Sequence, residues 1–166
     1  AVYDCRQRRQ VPSFGKEDHA KLFLKQLDHP DPSMVVAAIR GVTSGIAEKR
    51  FAELADHAFT GDLAEMAEAL AEARKGLQAA VEYTKKAGNA YQDLYARNLV
   101  DVAIDIYAGY LYLYEAEADP DTRMVFTQRF MERADRRIKM NLDLATSGED
   151  STLTSFDTIL GPIPTD

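Results

Sequence analysis

The run Asn98-Leu99-Val100-Asp101-Val102-Ala103-Ile104-Asp105-Ile106-Tyr107-Ala108-Gly109-Tyr110-Leu111-Tyr112-Leu113-Tyr114-Glu115-Ala116 decides the architecture. Its apolar residues recur every three or four positions, the spacing of a helix, and they do so on two stripes. One is Tyr95, Leu99, Val102, Ile106, Tyr110 and Leu113; the other is Val100, Ile104, Tyr107, Leu111 and Tyr114. A helix that is apolar on two sides is expected at the centre of a bundle. Asn89 opens it, and it is expected to reach about Ala118.

Upstream, Asp62 is expected to cap a helix that ends near Gly88. Leu63, Met66, Leu70, Ala73, Leu77, Ala80 and Thr84 form its seam. Downstream, Asp119-Pro120-Asp121 supplies a cap, a first-turn proline and an acid beside the helix dipole, and this predicts a long helix over Pro120 to Ser147 closed by Gly148. Helical spacing also runs through residues 33–60 from Ser33, with an interruption expected at Gly41 or Gly45. A short helix is expected from Lys16 to Asp28, stopped by His29-Pro30-Asp31-Pro32, and another from Ser151 to Leu160, ended by Gly161-Pro162. The fold class is therefore all-α: an up-and-down helical bundle of about four main helices with short extra helices at both ends. Residues 1–15, with Arg6, Arg8, Arg9, Pro12 and Gly15, read as an extended basic lead-in. Residues 16–148 read as the bundle, best defined over 62–148, and residues 149–166 as a tail.

Composition narrows the function. The 166 residues are 46% hydrophobic, enough for one sizeable core, and no apolar run approaches the roughly 18 residues a membrane-spanning helix needs. A net charge of −7 argues against nucleic acid as a partner, because a binder must neutralise phosphates. The single cysteine, Cys5, excludes an internal disulfide and points to a reducing compartment, the cytoplasm or an organelle matrix. The chain starts at Ala1 without an initiator methionine and reads as a processed product or a piece of a longer polypeptide.

Few residues offer chemistry. A di-iron bundle needs inward Glu-x-x-His pairs, whereas the histidines are His19, His29 and His57, and Glu53 with His57 reads as an ordinary solvated pair. Neither a catalytic triad nor a phosphate-binding loop is visible, so no catalytic, metal or cofactor-binding residue is assigned. Asp101 and Asp105 need partners, since they lie one turn apart on the most apolar helix. The last helix offers them: Arg123, Arg129, Arg133, Arg136, Arg137 and Lys139 face only Glu132 and Asp135 between positions 123 and 139. Arg133 or Arg137 is expected to meet Asp105 or Asp101 across the helix interface. The same basic run offers a second reading, an anionic-lipid contact, but Phe126, Phe130, Met131, Ile138 and Leu142 read first as core. Tyr107, Tyr110 and Tyr114, with Arg129 and Arg136, are the candidate partner interface.

Over residues 98–116, and most closely at Leu99, Asp101, Ala103, Ile104, Asp105, Tyr107 and Ala108, the chain resembles the extra C-terminal helical domain of very-long-chain-type acyl-CoA dehydrogenases. Tyr83-Thr84-Lys85-Lys86-Ala87-Gly88 before it and the Arg-rich helix after it look like the same domain in the same order. The resemblance covers about residues 62–160; residues 1–60 show no match. It implies a role without an active site. In that family the flavin, the catalytic glutamate and the acyl-CoA pocket belong to a preceding core, so FAD is expected in the parent enzyme and no cofactor in this chain. The expected partners are that core, a second copy in a homodimer, or a membrane surface touched peripherally. The alternative is a free-standing helical adaptor for another protein.

Overall fold

Glycines in the left-handed half of backbone space punctuate the helices, and two of them are required there. Gly45, at φ 86°, turns the chain between helical residues 39–43 and helix α1, Ile46–Ala55. Gly88, at φ 108° and ψ 165°, ends α2, Asp62–Ala87, in a conformation that a side chain at this position would strain by about 1–3 kcal/mol. The structure is a computed structural model and describes residues 2–4, 9–11, 39–155, 158 and 161. It divides into two units, Ala1–Ala38 and Ile39–Asp166. In the first, β1 (Val2–Asp4) pairs antiparallel with β2 (Arg9–Val11), Tyr3 opposite Gln10. Three residues per strand are too few for an alternating pattern, so a lead-in without pairing was the expectation. Cys5, the helix expected over Lys16–Asp28, His19, His29 and Ser33 lie outside the described residues.

The second unit is an all-α bundle. After α2 come α3 (Asn89–Leu94), α4 (Ala96–Ala118), α5 (Pro120–Thr146) and the short α6 (Ser151–Thr154). The single helix expected over 89–118 is thus two, broken at Tyr95 (φ −101°, ψ 9°). The break has a tertiary cause. The Tyr91 hydroxyl accepts the Gly148 N–H at 3.0 Å and the Tyr95 hydroxyl donates to the Glu149 carbonyl at 2.7 Å, which turns α3 against the end of α5. Helix starts also differ from expectation: Gly61, not Asp62, caps α2, and Asp150, not Ser151, caps α6. Phe156, Ile159 and Leu160 of the expected tail helix lie outside the described residues.

Each long helix buries one seam. On α2 it is Leu63, Leu70, Leu77 and Thr84, seven residues apart; on α5 it is Thr127, Met131, Ala134, Ile138, Asn141 and Ala145, in steps of four and three. They close on Leu99, Val102, Ile106, Tyr110 and Leu113 of α4. Contacts fix the directions. Asn98 bonds Asn141, Asp105 bonds Arg137 and Thr127 bonds the Tyr112 carbonyl, so α4 and α5 are antiparallel. Leu70 of α2 fits against Gly109 of α4, where a Cβ would stand 2.7 Å from Leu70 Cδ2. The small residue there lets the two helices approach closely.

Candidate functional site

The outward side of α4 and α5 carries the polar and apolar features left unexplained by the core. Asp105 is only 8% exposed, yet its carboxylate accepts Arg137 Nη2 at 2.6 Å and Nε at 2.9 Å. This two-pronged geometry is the strong form of a charged hydrogen bond. The Asp105 carboxylate, through that hydrogen bond, holds the Arg137 guanidinium above the ordinary arginine value. Arg137 also lies 5.7 Å over the Phe130 ring, which stacks on Tyr112 at 4.5 Å. Asp101 does not reach across the interface. It pairs instead with Arg97, one turn back on its own helix, at 2.8 Å. Among the described residues Arg133 makes no ion pair; it projects to solvent beside Arg129 and Arg136. Sequence reasoning overlooked Arg97, although its four-residue spacing from Asp101 was the available signal.

The second apolar stripe of α4 is only partly covered within this unit: Tyr114 packs against α1, while its middle is open. Ile104 is 57% exposed, and Leu111 and Tyr107 are exposed with it. The expectation of burial on both sides fails at Ile104, Tyr107 and Leu111, because α1 covers this stripe only at its Tyr114 end. On α5, Phe126 is 62% exposed rather than core, while Met131 and Ile138 are buried as expected; Val125, Met140 and Leu144 are exposed as well. Positions 126, 133, 137, 140 and 144 fall on one side of α5.

The tyrosines divide by depth. Tyr110 is 1% exposed and is no surface residue; its ring fills the space between α1, α2 and α4. Its hydroxyl, close to Arg74, completes no hydrogen bond among the described residues. Arg74 binds Glu48 at 2.5 Å, and this carboxylate raises its guanidinium above the ordinary value. Tyr114 is half-buried and donates to the Leu54 carbonyl at 2.8 Å. Of the three interface candidates only Tyr107 remains at the surface, beside Arg50. His57 pairs with Glu117 at 2.8 Å, while Glu53 binds Arg50, so the expected Glu53–His57 pair does not form.

Two grooves among the described residues have acidic linings. One of about 390 Å³ between α1 and α2 presents Glu48 and Glu82 with the lone cation Lys85, and one of about 440 Å³ presents Asp62, Glu65 and Asp135. Among the described residues, no three His, Cys, Asp or Glu side chains come close enough to hold a metal, and no helix is long and apolar enough to cross a membrane.

Comparison with curated proteins and with solved structures finds no match. The model of the family described as acyl-CoA dehydrogenase C terminal matches residues 43–145. The match begins ahead of α1, so residues 43–60, which showed no resemblance by sequence, fall inside the domain; their short helix has too little periodic pattern to announce it. With more than half of its length matched, the chain belongs to the acyl-CoA dehydrogenase C-terminal family.

Proposed function

We propose that the chain is the non-catalytic C-terminal accessory domain of an FAD-dependent acyl-CoA dehydrogenase of fatty-acid β-oxidation, and that it serves by covering a catalytic core. The observation that carries this reading is the family match over residues 43–145, which takes in α1 to α4 whole and all of α5 but its last residue. The flavin and the acyl-CoA then belong to the core. The parent reaction on this reading is oxidation of a fatty acyl-CoA to the 2-enoyl-CoA with FAD. The exposed side of α4 supports a covering role in particular. An Ile or Leu side chain moved from water into an apolar contact gains about 1.5–3 kcal/mol, and Ile104 and Leu111 stand ready to gain it.

The test is to isolate the native polypeptide with an antibody against this segment and record its intact mass and visible spectrum. A chain several times heavier with flavin bands is the expected result. A colourless product near 18.5 kDa overturns the reading and leaves a helical adaptor in its place.

A further inference from the structure

The charges on the outer α4–α5 face do not balance. Of its carboxylates, Asp101, Asp105 and Glu115 each already have an arginine, Arg97, Arg137 and Arg123, which leaves Glu132, within one turn of both Arg129 and Arg136, to answer the remaining cations. Among the described residues, Arg129, Arg133 and Arg136 make no ion pair, although the chain as a whole carries a net charge of −7. Before and after them on α5 stand Phe126, Met140 and Leu144, and on α4 Ile104 and Leu111 are exposed as well. Three cations are thus flanked by exposed apolar residues. We infer that this face receives an amphipathic protein segment whose apolar stripe is flanked by Asp and Glu. That the segment belongs to the dehydrogenase core rests on the function proposed above.

Two other occupants fit less well. A second copy docked face to face sets the same arginines against one another, because a two-fold interface repeats one patch on both sides. A lipid surface accepts Lys as readily as Arg, but every uncompensated cation here is Arg, and its neighbours are Phe, Met and Tyr. Those are the residue types enriched at the centre of protein interfaces, where Lys is depleted. Arg also offers the planar fork that a carboxylate matches.

The test places a photoreactive residue at Met140 in the native full-length polypeptide, irradiates the cells and sequences the joined peptides. The expected partner peptide carries an apolar stripe with Asp or Glu on its flanks. Charge reversal by Arg133→Glu with Arg136→Glu lowers the yield on the order of tenfold while helicity by circular dichroism is unchanged. Adducts to lipid, to the same face of a second copy, or to a peptide without carboxylates overturn the inference, as does a yield indifferent to charge reversal. An acidic stripe on a separate, flavin-free polypeptide keeps this inference and removes the dehydrogenase reading. Lipid adducts on a flavin-bearing chain do the reverse.

Discussion

Removing Arg137 is expected to destabilise the bundle more than removing Asp105, and the difference follows from where each side chain sits. The Arg137 side chain is 44% exposed, so without Asp105 it turns into water and keeps its hydration. The Asp105 side chain is only 11% exposed, and without Arg137 it is a carboxylate held away from water with no cation to answer it. Exposed ion pairs contribute about 0–1 kcal/mol, and breaking a buried pair costs about 3–5 kcal/mol. This pair lies between those limits. Arg137→Ala is therefore expected to cost about 2–3 kcal/mol, part of it the lost contact over Phe130, and Asp105→Ala about 1–2 kcal/mol. The double variant should cost less than the sum by about 1–2 kcal/mol. Urea unfolding of the four proteins followed by circular dichroism measures all three quantities. Because Asp105 raises the Arg137 pKa, this contribution is complete below the unfolded arginine value and is lost only as pH rises through the folded one. The coupling should accordingly be the same at neutral and mildly alkaline pH. A coupling below about 0.3 kcal/mol, or Asp105→Ala costing more than Arg137→Ala, would refute the reasoning.

Two glycines that look alike in sequence should respond oppositely to alanine. At Gly109 a new Cβ meets Leu70 Cδ2 at 2.7 Å and Cδ1 at 3.0 Å, inside a packed seam, so Gly109→Ala is expected to lower stability by about 1–3 kcal/mol. At Gly76 it meets only Leu142 Cδ1, on a half-buried side chain able to shift, and the helix propensity of alanine, about 1 kcal/mol, should make Gly76→Ala neutral or stabilising; equal losses in thermal unfolding would contradict this. Tyr91→Phe removes the hydroxyl that accepts the Gly148 N–H and donates to the Ala145 carbonyl at 3.3 Å. A loss of about 1–2 kcal/mol is expected, with faster amide exchange confined to the last turn of α5 and to residue 148; unchanged exchange there counts against the clamp. The Glu149 carboxyl is held below its usual range by hydrogen bonds from the Ser151 side chain and then its backbone N–H. The stabilisation this lends the start of α6 is present above the unfolded carboxylate value and fades as pH falls through the folded one. Ser151→Ala should move the Glu149 titration midpoint upward by NMR, and a fixed midpoint would dispose of the idea.

The parts of the fold legible in the sequence are those in which a helix meets its own kind at regular intervals. Leu63, Leu70, Leu77 and Thr84 repeat every seven residues, and Asp119-Pro120 marks a helix start by local stereochemistry alone. The break at Tyr95 was not legible, since apolar spacing continues through it. Its cause is a pair of tyrosine hydroxyls bonded to backbone more than fifty residues away. The partner of Asp105 followed from charge and burial, but whether Arg133 or Arg137 would supply it depended on the rotation of α5, which places 137 at the seam and 133 outside it. Asp101 shows the opposite failure. Its partner Arg97 is local, four residues back on the same helix, where spacing alone could announce it.

Periodicity reports how many faces of a helix are apolar, and it is silent on how many neighbours the helix has. The stripe of Val100, Ile104, Tyr107, Leu111 and Tyr114 is as regular as the stripe that became core, and the sequence alone offers no reason to separate them. Phe126 and Phe130 are likewise one turn apart, yet Phe130 packs on Tyr112 while Phe126 stands in water. What distinguishes the uncovered side is its charge. Where a helix face packs on the rest of this unit, each carboxylate that sits there has a cation, as Asp105 and Glu48 do. Where the apolar face is open, arginines are left over. Burial inside the chain and coverage by a partner draw on the same residues, so they write the same hydrophobic pattern. Only the unbalanced charge tells the two apart, and it does so because its counter-charge lies on another surface.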